Sequence, residues 1–232
     1  GRRDRHSGAA VPFSMTADVS VRRIPVGEEI ANSVTHGIGS LLAIAGLVVL
    51  VTLAALRGSA WHVVGSAIFG ATMVVLYSSS TLYHAIQAPR AKRVLRHLDH
   101  AGIFLLIAGT YTPFTLVSLR GPWGWTLFGI VWGLAFLGIV LQTGSRRHPV
   151  LAVALYIAMG WVVIVAIRPL IAALPAGGLT LLVAGGLAYT AGVAFYVWHR
   201  LPYHHAIWHG FVLAGTALHF FAVLLYVIPG PA

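Results

Sequence analysis

The sequence predicts an all-α fold: an integral membrane bundle of seven transmembrane helices, N-terminus cytoplasmic and C-terminus extracytoplasmic. Composition, the spacing of apolar runs and the placement of basic residues carry that expectation. Of the 232 residues, 58% are hydrophobic and 9% charged, against about 25% charged in soluble domains, so most of the surface cannot face water. Fifteen Lys and Arg against five Asp and Glu leave a net charge of +10. The basic residues sit in the breaks between apolar runs, with no basic stripe interleaved with aromatics, which excludes nucleic acid as a partner. Cysteine is absent, so disulfides, thiolate chemistry and Cys-based metal sites are excluded and any metal must use His and carboxylate.

A hydrocarbon core about 30 Å thick takes roughly 20 apolar residues per helix. Seven runs qualify, at about 31–56, 61–85, 99–119, 124–143, 149–169, 178–199 and 203–228. The first is too long for a signal peptide and has no small-residue cleavage site. Turn-like segments separate the runs: Arg57-Gly58-Ser59, Gln87-Ala88-Pro89-Arg90, Arg120-Gly121-Pro122, Gly144-Ser145-Arg146-Arg147, Pro175-Ala176-Gly177-Gly178 and Arg200-Leu201-Pro202. Residues 1–24 read as a flexible basic cytoplasmic tail able to touch anionic lipid, and 25–232 as one transmembrane domain.

Orientation follows because cytoplasmic flanks retain Lys and Arg. An inside N-terminus puts Arg2, Arg3, Arg5, Arg22, Arg23, Arg90, Lys92, Arg93, Arg96, Arg146, Arg147 and Arg200 in the cytoplasm. Only Arg57, Arg120 and Arg168 fall on the other side. The basic charge is therefore topogenic.

Ionisable groups at membrane depth are costly and mark function. Here they gather in four segments that this topology brings to the cytoplasmic end: Glu29 to Gly37, Ser78 to His84, His97 to His100, and His204 to His209. His205 and His209, four residues apart, project from one helix face and suit a single ion. His84 is the third candidate ligand at matching depth, with Ser80 one turn deeper and expected to hydrogen-bond beside it. Three histidines and a water would make an open Zn2+ site, whose water ionises near pH 7. Asp99 is the general-base candidate. In H-E-x-x-H enzymes the base follows the first His; that position is Ala206 here, so the base must come from another helix.

Other polar and small residues take structural readings. His36 packs or hydrogen-bonds between helices, His62, His148 and His199 are interfacial, and His219 is a satisfied core histidine. Trp61, Trp123, Trp125 and Tyr203 are interfacial anchors. Glycines such as Gly65, Gly70, Gly185 and Gly215 permit close helix packing, and Tyr111-Thr112-Pro113 marks a kink.

Asn32-Ser33-Val34-Thr35-His36-Gly37, Ser80-Thr81-Leu82-Tyr83-His84, the run from Leu98-Asp99-His100 to Thr112-Pro113, and His205-Ala206-Ile207-Trp208-His209 together resemble the bacterial hemolysin III proteins of the progestin and adiponectin receptor superfamily. The resemblance covers the chain from about residue 28. It implies a multi-pass protein of the bacterial plasma membrane with zinc held near the cytoplasmic leaflet by His84, His205 and His209, beside Ser80 and Asp99 as catalytic candidates. Relatives are linked to ceramide hydrolysis, to receptor function, and to membrane homeostasis under a hemolysin label. The leading expectation is a zinc-dependent intramembrane hydrolase of lipid amides or esters, with membrane lipids as partners. The alternatives are a homeostasis factor or pore-forming cytolysin with structural zinc and, ranked lower, an ion or proton transporter.

Overall fold

The computed structural model describes residues 25–143 and 149–229. The expectations for the 1–24 tail, the Arg146-Arg147 turn and His148 lie outside the described residues. Eight α-helical segments form seven spans among those described: α1 (Val26–Arg57), α2 (Ala60–Ala85), α3 (Pro89–Pro113), α4 (Pro122–Thr143), α5 (Pro149–Trp161), α6 (Ile167–Ala173), α7 (Ala176–Val197) and α8 (His204–Tyr226). The seven-helix membrane architecture expected from composition is the one observed.

The third span begins ten residues before its expected start. Pro89 sits at the first helical position, where a missing N–H costs nothing, and the chain between α2 and α3 is only 86–88. Hydropathy hides this first stretch because it carries Arg90, Lys92, Arg93 and Arg96. Such residues continue a helix through the interface by placing their stems on apolar surface and their charges toward water.

The fifth span, expected to be one continuous helix, is broken by a 3₁₀ segment, Val162–Ala166, between α5 and α6. Pro169 cannot donate to Val165, and its ring crowds that carbonyl, so the chain unwinds just before it. Tyr111 compensates: its hydroxyl lies 2.9 Å from Met159 O and 2.8 Å from Gly160 O and accepts the Val163 N–H at 3.2 Å. Near Pro113, where a kink is expected, the regular α-helix ends and the span runs on as a π turn, Phe114–Ser118.

On α1 the buried positions are Glu29, Asn32, His36, Gly39, Ala43, Gly46, Leu50 and Ala54, one stripe at helical spacing. Its polar half sets groups into one end of the bundle, and its small residues admit α2 and α8. A Cβ on Gly39 would stand 2.7 Å from Leu213 and 2.9 Å from Tyr77. Across the α2–α3 contact, a Cβ on Gly102 would meet the Leu76 Cα at 3.0 Å, and one on Gly109 would overlap Thr72. Deeper in the bundle, Thr216 accepts hydrogen bonds from Tyr77 at 2.6 Å and Tyr189 at 2.7 Å while donating to Val212 O at 2.9 Å, which joins α2, α7 and α8.

The glycine contacts give a paired prediction. Gly109→Val should lower the thermal midpoint of the detergent-solubilised protein by an amount corresponding to about 1–3 kcal/mol, the usual cost of overpacking. Gly129→Ala, where a Cβ meets nothing within 4 Å, should leave it unchanged or slightly raised. Equal midpoints for both variants would refute the tight α2–α3 seam.

Candidate metal centre

Four helices bring their polar ends together. From α2 comes His84, from α8 His205 and His209, from α1 Glu29, Asn32 and His36, and from α3 Asp99. The His205 and His209 rings have centroids 4.5 Å apart, and His84 lies 5.2 Å from His205 and 5.3 Å from His209. One ring nitrogen of each lies within 4.8 Å of the others.

The unpaired atoms fit the three histidines to a metal. His84 Nε2, His205 Nε2 and both ring nitrogens of His209 are buried and have no hydrogen-bond partner. Unpaired polar atoms cost ~1–3 kcal/mol each when buried, and one cation would satisfy three imidazoles at once. Two ligands about 2 Å from one ion are at most about 4 Å apart, so binding would draw the rings slightly inward.

His84 is oriented from behind. Its Nδ1 lies 2.6 Å from Glu29 Oε2. A carboxylate only accepts, so Nδ1 carries the proton and Nε2 keeps its lone pair for a metal. The other Glu29 oxygen accepts from Lys92 Nζ at 2.5 Å. Lys92 also donates to Gln87 at 3.1 Å and lies 5.0 Å above the Tyr83 ring. The Asn32 amide approaches His84 Nδ1 at 3.5 Å.

The sequence gives Glu29, Asn32 and Lys92 no individual place in the metal site. The signal was the spacing of Glu29, Asn32 and His36 along one face of a helix. What could not be read was that this face meets His84.

Ser80 does not take its expected place. His84 Nδ1 is occupied by Glu29, and the Ser80 hydroxyl, buried and without a partner of good geometry, lies against Asp99 instead. His36 packs as expected, stacked on His209 with centroids 3.4 Å apart and edge-on to Tyr77 at 5.0 Å, but neither of its nitrogens is hydrogen-bonded. His219 is satisfied at Nε2, 3.0 Å from Leu182 O, and unpaired at Nδ1. His62 closes a local cap with Ser59 at the opposite end of α2.

Two cavities meet at Asp99. The first, about 890 Å³ counting its open mouth, runs between α3, α5, α7 and α8, with a lining that is almost wholly apolar and includes His36 and Asp99. The second, about 1740 Å³ on the same basis, is a polar vestibule holding His84, His205, Asp99 and Arg96. Asp99, Ile103 and Trp208 line both. Tyr203 opens α8 in the left-handed conformation, φ 57°, and its N–H donates to Glu28 Oε1 at 3.3 Å, tying the vestibule rim to α1.

The fold and site define a class: a polytopic membrane protein with a buried three-histidine group, able to hold a metal ion, at one end of its bundle. A family model described as "Haemolysin-III related" matches residues 25–220, and the chain belongs to that family. It is 50% identical to Hemolysin-3 of Bacillus cereus over 88% of this chain and 94% of that protein. It is also 50% identical to the Hemolysin-3 homolog of Bacillus subtilis (strain 168), over 89% and 97% respectively. A more distant similarity, 28% over 88% of this chain and 86% of the relative, reaches the human monocyte to macrophage differentiation factor and fits the wider progestin and adiponectin receptor superfamily.

Metal analysis tests the centre. Purified protein should carry about one equivalent of a divalent ion that His84→Ala, His205→Ala and His209→Ala each lose. Glu29→Gln should keep the fold and weaken metal affinity about 10–100-fold, the usual effect of removing a carboxylate behind a ligating histidine. Undiminished affinity in Glu29→Gln would remove that role.

Proposed function

We propose that the chain is a zinc-dependent hydrolase of membrane lipid amides or esters, working at the cytoplasmic leaflet of the bacterial plasma membrane. The observation that carries the reading is the position of Asp99, on the wall shared by an apolar chamber and the polar vestibule that His84 and His205 also line. A lipid carbonyl and a water molecule can meet there, each arriving from its own medium.

His84, His205 and His209 would hold the ion. Zinc, when bound, supplies a Lewis acid and brings the ionisation of a coordinated water toward pH 7. Asp99 takes a proton from the attacking water and passes it to the departing amine or alcohol. Ser80 lies against the Asp99 carboxyl, Glu29 fixes His84, and the chamber receives the acyl chain. His36 closes the chamber's inner end by stacking on His209.

Asp99→Asn should lower lipid turnover about 10²–10⁴-fold and leave metal content unchanged. Mass spectrometry of fatty acids released from a total lipid extract reads the first quantity. A metal-loaded wild-type protein that turns over no lipid class would end the hydrolase reading. The relatives' printed name, Hemolysin-3, favours a second one, a cytolysin with structural zinc. Cell lysis retained in full by Asp99→Asn would point to it.

Orientation has its own support. Arg90, Lys92, Arg93, Arg96 and Arg200 share the histidine end, whereas Arg57, Arg120 and Arg168 belong to the other, where Arg120 stacks 4.8 Å over Trp61. Alkaline phosphatase fused after residue 232 should be active, and a fusion in the α2–α3 turn inactive. The reverse pattern would invert the topology.

A further inference from the structure

We infer that the vestibule is a recognition site for a phosphate-bearing anion, a lipid headgroup held by Arg96 one helical turn on the water side of Asp99. The inference rests on the lipid-directed reading above and names the class of lipid. Its ground is the contrast among the basic residues of α3. Arg90 and Arg93 are exposed, as charges that only set topology need be, and Lys92 is neutralised by Glu29. Arg96 instead turns inward, is partly buried and lines the vestibule. Its Nε is buried and bonded to nothing, and no carboxylate among the described residues pairs with its guanidinium.

The acids near enough to neutralise it are otherwise placed. Glu29 is held by His84 and Lys92, Glu28 accepts the Tyr203 N–H, and Asp99 lies against Ser80. Arg200, exposed in the loop before α8 and without an ion-pair partner among the described residues, adds a second cation to the rim, and the Tyr83 and Tyr196 phenols, for which no hydrogen bond is found among the described residues, line the same space. A partly buried guanidinium with spare donors, backed by a second cation and two phenols, suits a phosphate better than any neutral headgroup.

The spacing agrees. Arg96 and Asp99 are three residues apart on one helix, about 4.5 Å along its axis. A headgroup phosphate at Arg96 therefore sets the first acyl carbonyl of a glycerophospholipid, or the amide of a phosphosphingolipid, at the depth of Asp99. The chains then enter the apolar chamber.

Binding tests this without turnover. Thermal midpoints of the full chain in neutral detergent are followed against dioctanoyl phosphatidylglycerol, dioctanoyl glycerol and inorganic phosphate, with and without a metal chelator. Phosphatidylglycerol should stabilise the protein saturably and dioctanoyl glycerol should not. Arg96→Gln should weaken that response at least tenfold, Arg96→Lys should restore part of it, and Arg90→Gln should leave it unchanged. Inorganic phosphate acting as strongly as the lipid would assign the site to the free anion; a much weaker response assigns it to the headgroup. Equal stabilisation by dioctanoyl glycerol, an unaltered Arg96→Gln response, or a response abolished by chelation while Arg96 is intact would overturn the proposal. Weak binding by Arg96→Gln together with no lipid turnover in wild type would retain the anion site and reject the hydrolase.

Discussion

The contact on which the site depends is the 2.6 Å hydrogen bond between Glu29 and His84. A histidine buried in an apolar bundle has two nitrogens to satisfy, and a carboxylate buried beside it has a charge to balance. Each problem is the other's solution. Glu29 takes the Nδ1 proton, and its remaining oxygen takes Lys92 from α3, so α1, α2 and α3 are fixed to one another by groups none could bury alone. His84 is left with a single free nitrogen, directed at His205 and His209. The geometry of a group able to hold a metal is thus set by a neighbouring carboxylate on another helix.

Around that contact the bundle separates two media. Asp99 stands at the boundary, with the polar vestibule on one side and the apolar chamber on the other. Its neighbours on α3 change accordingly within two turns, from Arg96 to Ile103. Under the proposed function, such a boundary would suit an amphiphile, its charged end near water and its chain beside the Ile107, Tyr156 and Val212 that line the chamber. Position along one helix does the sorting.

Much of this was legible in the sequence, for physical reasons that also explain what was not. Seven spans could be counted because a helix that crosses lipid must be long and apolar. His205 and His209 declared themselves by four-residue spacing, and His84 and Asp99 by a depth that charge placement predicted. Glu29 was hidden because a carboxylate in the first turn of a helix is also what the helix dipole favours. Nothing in the sequence distinguishes that role from holding His84. Ser80 was assigned to the wrong neighbour because shared helix face says which residues are adjacent, not which hydrogen bonds are already taken. The start of α3 was missed because its basic turn lowers hydropathy without ending the helix.

The break in the fifth span links these local features to the chamber. Backbone that leaves helical geometry at membrane depth needs a partner for its freed groups and survives only where protein or a cavity surrounds it. Tyr111 supplies the partner from α3, reaching Met159, Gly160 and Val163 across the gap. Tyr111, Gly160 and Trp161 also line the chamber wall. The contact that repairs the unwound turn therefore lies in the chamber wall, next to Trp161, which donates to Thr190 of α7 at 3.0 Å. Pro169 causes the unwinding, and Tyr111 makes it tolerable. A straight fifth helix would have no freed carbonyls for Tyr111 to bind, and the phenol would have to be buried unpaired or leave the wall.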